Sequence, residues 1–285
     1  MTPRAALARR AGASAGTGPE RARFSGNLHA EWVKATSLPA TLLAIGGILA
    51  AGLGGSLFLA LTLESSGVPS VASLERTVND VLSPMVILGQ IIAGIIGVMS
   101  IGSEYSSGSI QPTLLASPLR LRVLGAKALV MFVLVVAAAL VTAFGSWAAT
   151  FPFYAEYGLQ APLGAPGVLI AVVGSAVYLG LCAVFGVGIG TLVRSTAVGS
   201  ILVFVATLLG PILASVLPFG LFSRVLRALL LGNAGDAMSR VRDEPGPFLD
   251  IWTGHVSAGA GWMVALAWAA LALAIGALAL ARRDA

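Results

Sequence analysis

The sequence predicts an all-α integral membrane protein with six transmembrane helices. Three observations carry this. Of the 285 residues, 57% are hydrophobic and only 10% are charged, against about 25% charged in a soluble domain. Six apolar runs reach membrane-crossing length, at about 38–63, 82–102, 126–150, 167–192, 196–217 and 260–281; a bilayer core takes roughly 20 such residues as a helix. From the second run onward the interiors hold no charge, and Lys127 stands at the edge of the third. No barrel-like alternation is present, so helices are the way such runs satisfy their own backbone in lipid.

Taken in order, residues 1–25 are rich in Arg, Ala and Gly without a period, and read as a disordered basic tail. The first apolar run follows this tail and is too long for a signal-peptide core. Residues 26–285 read as one membrane domain. Between Gly26 and Ser37, Leu28, Trp32 and Ala35 share a helical face while His29, Glu31 and Lys34 lie elsewhere. Trp32 is an interfacial anchor type, so a short helix lying on the membrane surface is expected before span 1.

Orientation follows from the basic residues. Of the 17 lysines and arginines, five (Arg76, Arg224, Arg227, Arg240, Arg242) fall on one side of a six-span chain and twelve on the side of the termini. Positive loops stay inside, so both termini are expected in the cytoplasm. The net charge of +5 then suits a membrane face, and nucleic acid is not an expected partner.

The loop after span 2, "SEYSSGSIQPTLLASPLRLR" at 103–122, is a dense polar knot between two apolar runs. Gly108 permits a sharp turn. Pro112 suits the first turn of a helix and Pro118 ends it. A short surface helix over Thr113, Leu114 and their neighbours fits this punctuation, with Glu104 and Tyr105 offered to a cytoplasmic partner. The longest loop, 218–259, holds Phe222, Val225, Leu226, Leu229 and Leu230 at helical spacing, with Arg224 and Arg227 opposite. A helix lying on or dipping into the outer leaflet is expected there, before the breaker "DEPGP".

Chemistry is sparse. The single cysteine, Cys182, excludes an intrachain disulfide, and His29 and His255 are too far apart in sequence to suggest a metal centre. No phosphate-binding loop, nucleophile elbow or zinc helix is present. The most polar mid-span residue is Gln90, read either as an interhelical hydrogen bond or as path-lining. Thr207 is a second polar group, and Pro211 implies a kink in span 5. Ala93 with Gly97, and Gly186 with Gly190, are small-residue pairs that let helices approach. Without an intramembrane carboxylate, a self-sufficient gradient-driven carrier is the weaker alternative. A non-transporting membrane sensor is another.

The segment "SEYSSGSIQPTLLASPLRLRVLGAK" resembles the signature loop of ABC-transporter permeases of the type-2 export class. Glu104, Gly108, Thr113, Leu114, Leu115, Ala116, Pro118, Arg120 and Lys127 match it, while Ser109 stands where a Thr is usual. Three further segments are similar to actinobacterial members: "AEWVKATS" (30–37), "GVGIGTLVRSTAVGS" (186–200) and "GALALARRDA" (276–285); so is "GNAGDAM" (232–238). The resemblance implies six spans, a second permease subunit, identical or not, and two cytoplasmic ATP-binding subunits that hold the ATP and Mg. It implies that the loop after span 2 is a coupling helix, with Glu104, Tyr105, Gly108, Thr113, Leu114, Pro118 and Arg120 as coupling residues. It also implies that spans 2 and 5 line the path, which singles out Gln90, Thr207 and Pro211. An apolar path suits a lipophilic or amphipathic cargo, such as a drug, antibiotic, peptide or lipid.

Overall fold

A computed structural model describes residues 24–69, 73–108, 120–218, 220–241, 248–250 and 255–282. Helix α1 (Phe24–Ser37) leads at Leu38 into α2 (Pro39–Leu61), which is span 1. Leu38 is extended, as a residue before proline must be, and Pro39 opens the new helix where a missing N–H costs nothing. Spans 2, 3 and 4 are α3 (Leu74–Ser106), α4 (Arg120–Glu156) and α5 (Val168–Val193). Span 5 is composite: α6 (Thr196–Phe204), a π-helical turn (Val205–Leu209) and α7 (Gly210–Val216). Helices α8 (Leu221–Leu229) and α9 (Leu231–Met238) follow. A two-residue antiparallel pair, β1 (Leu249–Asp250) with β2 (His255–Val256), then precedes span 6, α10 (Ala258–Arg282).

All six expected spans are helices long and apolar enough to cross a membrane. The expected ends differ most at spans 2 and 3. The apolar run of span 2 ends at its first polar residues, but the Ser73 side chain accepts the Arg76 N–H and starts α3 eight residues earlier. At the other end α3 runs through Glu104 and stops at Gly108, whose φ of +70° only glycine adopts without strain.

Spans 2 and 4 form the centre of the bundle. In their most apolar windows 61% and 72% of residues are buried, against 17%, 22% and 28% for spans 1, 5 and 6. Close packing of α3 on α5 rests on glycine. A Cβ at Gly186 would lie 2.0 Å from the Gly94 carbonyl oxygen, and one at Gly97 would lie 2.1 Å from that of Ala183. Both small-residue pairs named from sequence meet here, where backbones touch.

Pro211 explains the wide turn in span 5. Its missing N–H leaves the Thr207 carbonyl without its i+4 donor, and the chain widens to π geometry just before it. Instead of one helix running through Leu230, the chain turns there (φ −68°, ψ 136°) between α8 and α9. Leu221, Phe222 and Leu229 of α8 face outward, Phe222 being 73% exposed, while Ala228 is buried. On its inner side Arg227 donates from Nε to the Ala214 carbonyl (2.8 Å) and from Nη2 to that of Ser215 (3.0 Å), capping the end of span 5. Helix α9 is buried against α5 and α10, and its Leu231 reaches Tyr178, ten residues into α5. Helix α9 therefore re-enters the bundle, its first residue roughly 15 Å along α5 from that helix's start.

Candidate functional site

Four charged side chains meet at the end of the bundle that holds α1 and the C-terminal end of α10. Lys127, near the start of α4, is 2% exposed, and its ammonium uses all three protons. It donates to Glu31 Oε2 of α1 (2.6 Å), to Glu104 Oε1 of α3 (2.8 Å) and to the Ser100 carbonyl (3.0 Å). Lys34 of α1 donates to the same Glu104 oxygen. Two ammoniums thus face two carboxylates, with no net charge. Neutrality is what allows the burial, because an unpaired ion here would cost several kcal/mol, of order 3–5. Glu104 Oε2 is buried without a hydrogen-bond partner among the described residues.

This arrangement corrects one expectation. Glu104 and Tyr105 are not offered to a partner on an exposed face. Glu104 is 2% exposed and fixes three helices to one another, while the Tyr105 hydroxyl is buried. On α1, Glu31 and Ala35 are buried, Glu31 in its ion pair with Lys127, while Trp32 is 42% exposed.

Beside this network the α5–α6 corner brings in Arg194. Its backbone is left-handed (φ +56°), the one non-glycine residue with positive φ among those described. Its guanidinium lies over the Tyr105 ring, 5.0 Å from the centroid, while Nε and Nη2 are buried without hydrogen-bond partners. Thr196, two residues on, packs against Gly102 at the end of α3. Arg120 Nη1 donates to the Leu280 carbonyl in the last turns of α10 (3.2 Å). Parts of four segments far apart in sequence, 30–37, 103–127, 186–200 and 276–285, therefore converge on one end of the bundle.

A second polar node sits deep among the spans. Tyr178, fully buried, has its hydroxyl 2.5 Å from Gln90 Oε1 and 3.1 Å from the Leu231 carbonyl. A phenol has one proton. Turning the Gln90 amide lets Nε2 donate to the phenol, which then donates to Leu231, at the loss of a 3.3 Å bond to Ile87. Gly232, the next residue, packs on the Thr207 carbonyl and the Pro211 ring. Gln90, Thr207 and Pro211 thus gather around the first turn of α9.

Thr113, Leu114 and Pro118, with the expected coupling helix, lie outside the described residues, as do residues 1–23 and "DEPGP". The chain matches no protein-family model and no curated protein.

Sequence reasoning named Glu104 and Lys127 but missed that Glu31 and Lys34 complete their network. The available signal was three residues of spacing between Glu31 and Lys34 just before a span, which puts both on one side of a helix. Tyr178 and Arg194 were also missed. A lone tyrosine inside an apolar span, and the one charge between spans 4 and 5, were the marks they left.

Proposed function

We propose that this chain is the membrane-spanning subunit of an ATP-binding-cassette exporter in a bacterial cytoplasmic membrane. Both termini then lie in the cytoplasm, and α1 lies along the inner surface. A separate ATPase subunit binds ATP and Mg, and a second permease subunit completes the pathway. Cargo is lipophilic or amphipathic. In this reading the segment between Gly108 and Arg120 carries the coupling helix and receives the ATPase stroke.

The observation that supports this reading is the convergence at one end of the bundle. Described parts of four of the five sequence segments that resemble the export family share that end, around a buried ion network, while 232–238 packs deeper, by Tyr178. The network ties the helix before the segment, α3, to the helix after it, α4, and to α1. A push on 109–119 would be transmitted to three helices as one unit, because separating them exposes unpaired buried charge. Spans 2 and 3 would then rock together and open a path beside Gln90, Thr207 and Pro211.

The chain should co-purify from its own membrane with an ATP-hydrolysing subunit. Cargo movement by the purified chain alone, driven by an ion gradient, would replace this reading with that of a carrier.

A further inference from the structure

A cavity of about 110 Å³ lies between α1, α2, α3 and α4, next to the ion network. Its floor is buried and mostly apolar: Ala35, Ile96 and Met131 are 2–3% exposed. Its rim is open, with Leu38 40% and Met99 38% exposed. Two methionines in the wall give a surface that adapts to a flexible chain. The volume takes roughly four groups of water or methylene size, which suits the head of an acyl chain rather than a whole drug-sized molecule.

Charge at the mouth selects further. Lys127 has no proton to spare, but Lys34 is 37% exposed and engages only Glu104 among the described residues. Two of its N–H groups are left for the cavity. Glu31, three residues earlier on the same helix, also lines the cavity and spends Oε2 on Lys127, while its Oε1 has no protein partner among the described residues. The mouth thus presents one donor cation and one acceptor oxygen beside an apolar slot.

We propose that this cavity holds one zwitterionic phospholipid with a primary ammonium: phosphate on Lys34, ammonium on Glu31, and the start of an acyl chain against Ile96, Met99 and Met131. A purely anionic headgroup gains Lys34 but meets the Glu31 charge. A choline headgroup carries its positive charge without an N–H to donate, so it leaves Glu31 Oε1 unpaired. A primary ammonium satisfies both ends through charge-assisted hydrogen bonds. The proposal concerns the lipid leaflet at the end that holds α1 and the C-terminal end of α10, and does not depend on the proposed function.

The test uses the full chain purified in dodecyl maltoside, titrated separately with dioleoyl phosphatidylethanolamine, phosphatidylcholine and phosphatidylglycerol. Native mass spectrometry counts the retained lipid. Wild type should retain one phosphatidylethanolamine about tenfold more tightly than either other lipid. Lys34→Ala should erase most of that preference. Met99→Trp leaves every charge in place and blocks the mouth; it should abolish retention. The wild-type headgroup comparison needs no variant, so a poorly folding variant leaves the test intact. Equal retention of the three lipids overturns the proposal. So does a preference for phosphatidylglycerol, the mark of a plain basic patch, or undiminished phosphatidylethanolamine retention by folded Met99→Trp.

Discussion

Replacing Lys127 by methionine keeps the length of the side chain and removes its charge. Three donated hydrogen bonds disappear with it: to Glu31, Glu104 and the Ser100 carbonyl. Glu104 keeps Lys34, but Glu31 is left as a 7% exposed carboxylate without a cation. Breaking a buried pair by removing one partner costs about 3–5 kcal/mol. At about 2–4 °C per kcal/mol for a chain of this size, the unfolding midpoint in detergent should fall by roughly 6–20 °C. The double variant Lys127→Met/Glu31→Gln removes the stranded charge as well, and should recover at least about 2 kcal/mol of the loss. Thermal or SDS-titration unfolding of both variants measures this. A single variant within about 1 kcal/mol of wild type, or a double variant with additive losses, would refute the reasoning that these charges hold the helices as one unit.

Gly186→Ala should destabilise the bundle by about 1–3 kcal/mol, because its Cβ would meet the Gly94 carbonyl oxygen at 2.0 Å. Gly46→Ala, at a position with nothing within 4 Å of the new atom, should be neutral or slightly stabilising under the same unfolding assay. Tyr178→Phe removes the hydroxyl that joins Gln90 to Leu231 and should cost about 1–3 kcal/mol through the unpaired groups left behind. Faster amide hydrogen exchange in α9 than in wild type is the accompanying signature.

The spans were legible because a bilayer imposes a length and forbids charge, and both marks are local. The two small-residue pairs were legible for the same reason: Gly97 and Gly186 sit at helical spacing from their partners, and the structure puts both at the α3–α5 contact. The irregularity at Pro211 followed from its missing N–H, although the form it takes, a π-helical turn over Val205–Leu209, left no mark in the sequence. What sequence did not disclose is pairing at a distance. Glu104 reads as a loop carboxylate until Lys127, 23 residues on, and Lys34, 70 residues back, are brought to it. Polar residues at a span end look like solvent contacts whether they face water or one another. Likewise Phe222 and its apolar neighbours mark a helix without saying that α9 beyond it turns back into the bundle.

The decisive measurement is the ATP hydrolysis rate of the purified complex carrying wild-type chain or Glu104→Gln. The amide keeps the side chain's shape and leaves the Glu31–Lys127 pair in place, so the complex should still assemble. Lys34 and Lys127 lose the charge of their shared carboxylate, which leaves the Ser100 carbonyl and a neutral amide oxygen as the α3 side of the tie to α4 and weakens it. Hydrolysis that depends on the membrane subunit should fall by about tenfold or more, the equivalent of roughly 1.4 kcal/mol in the coupled step. An unchanged rate in an assembled Glu104→Gln complex, or no ATPase activity accompanying the wild-type chain at all, would contradict the coupling role assigned to this end of the bundle.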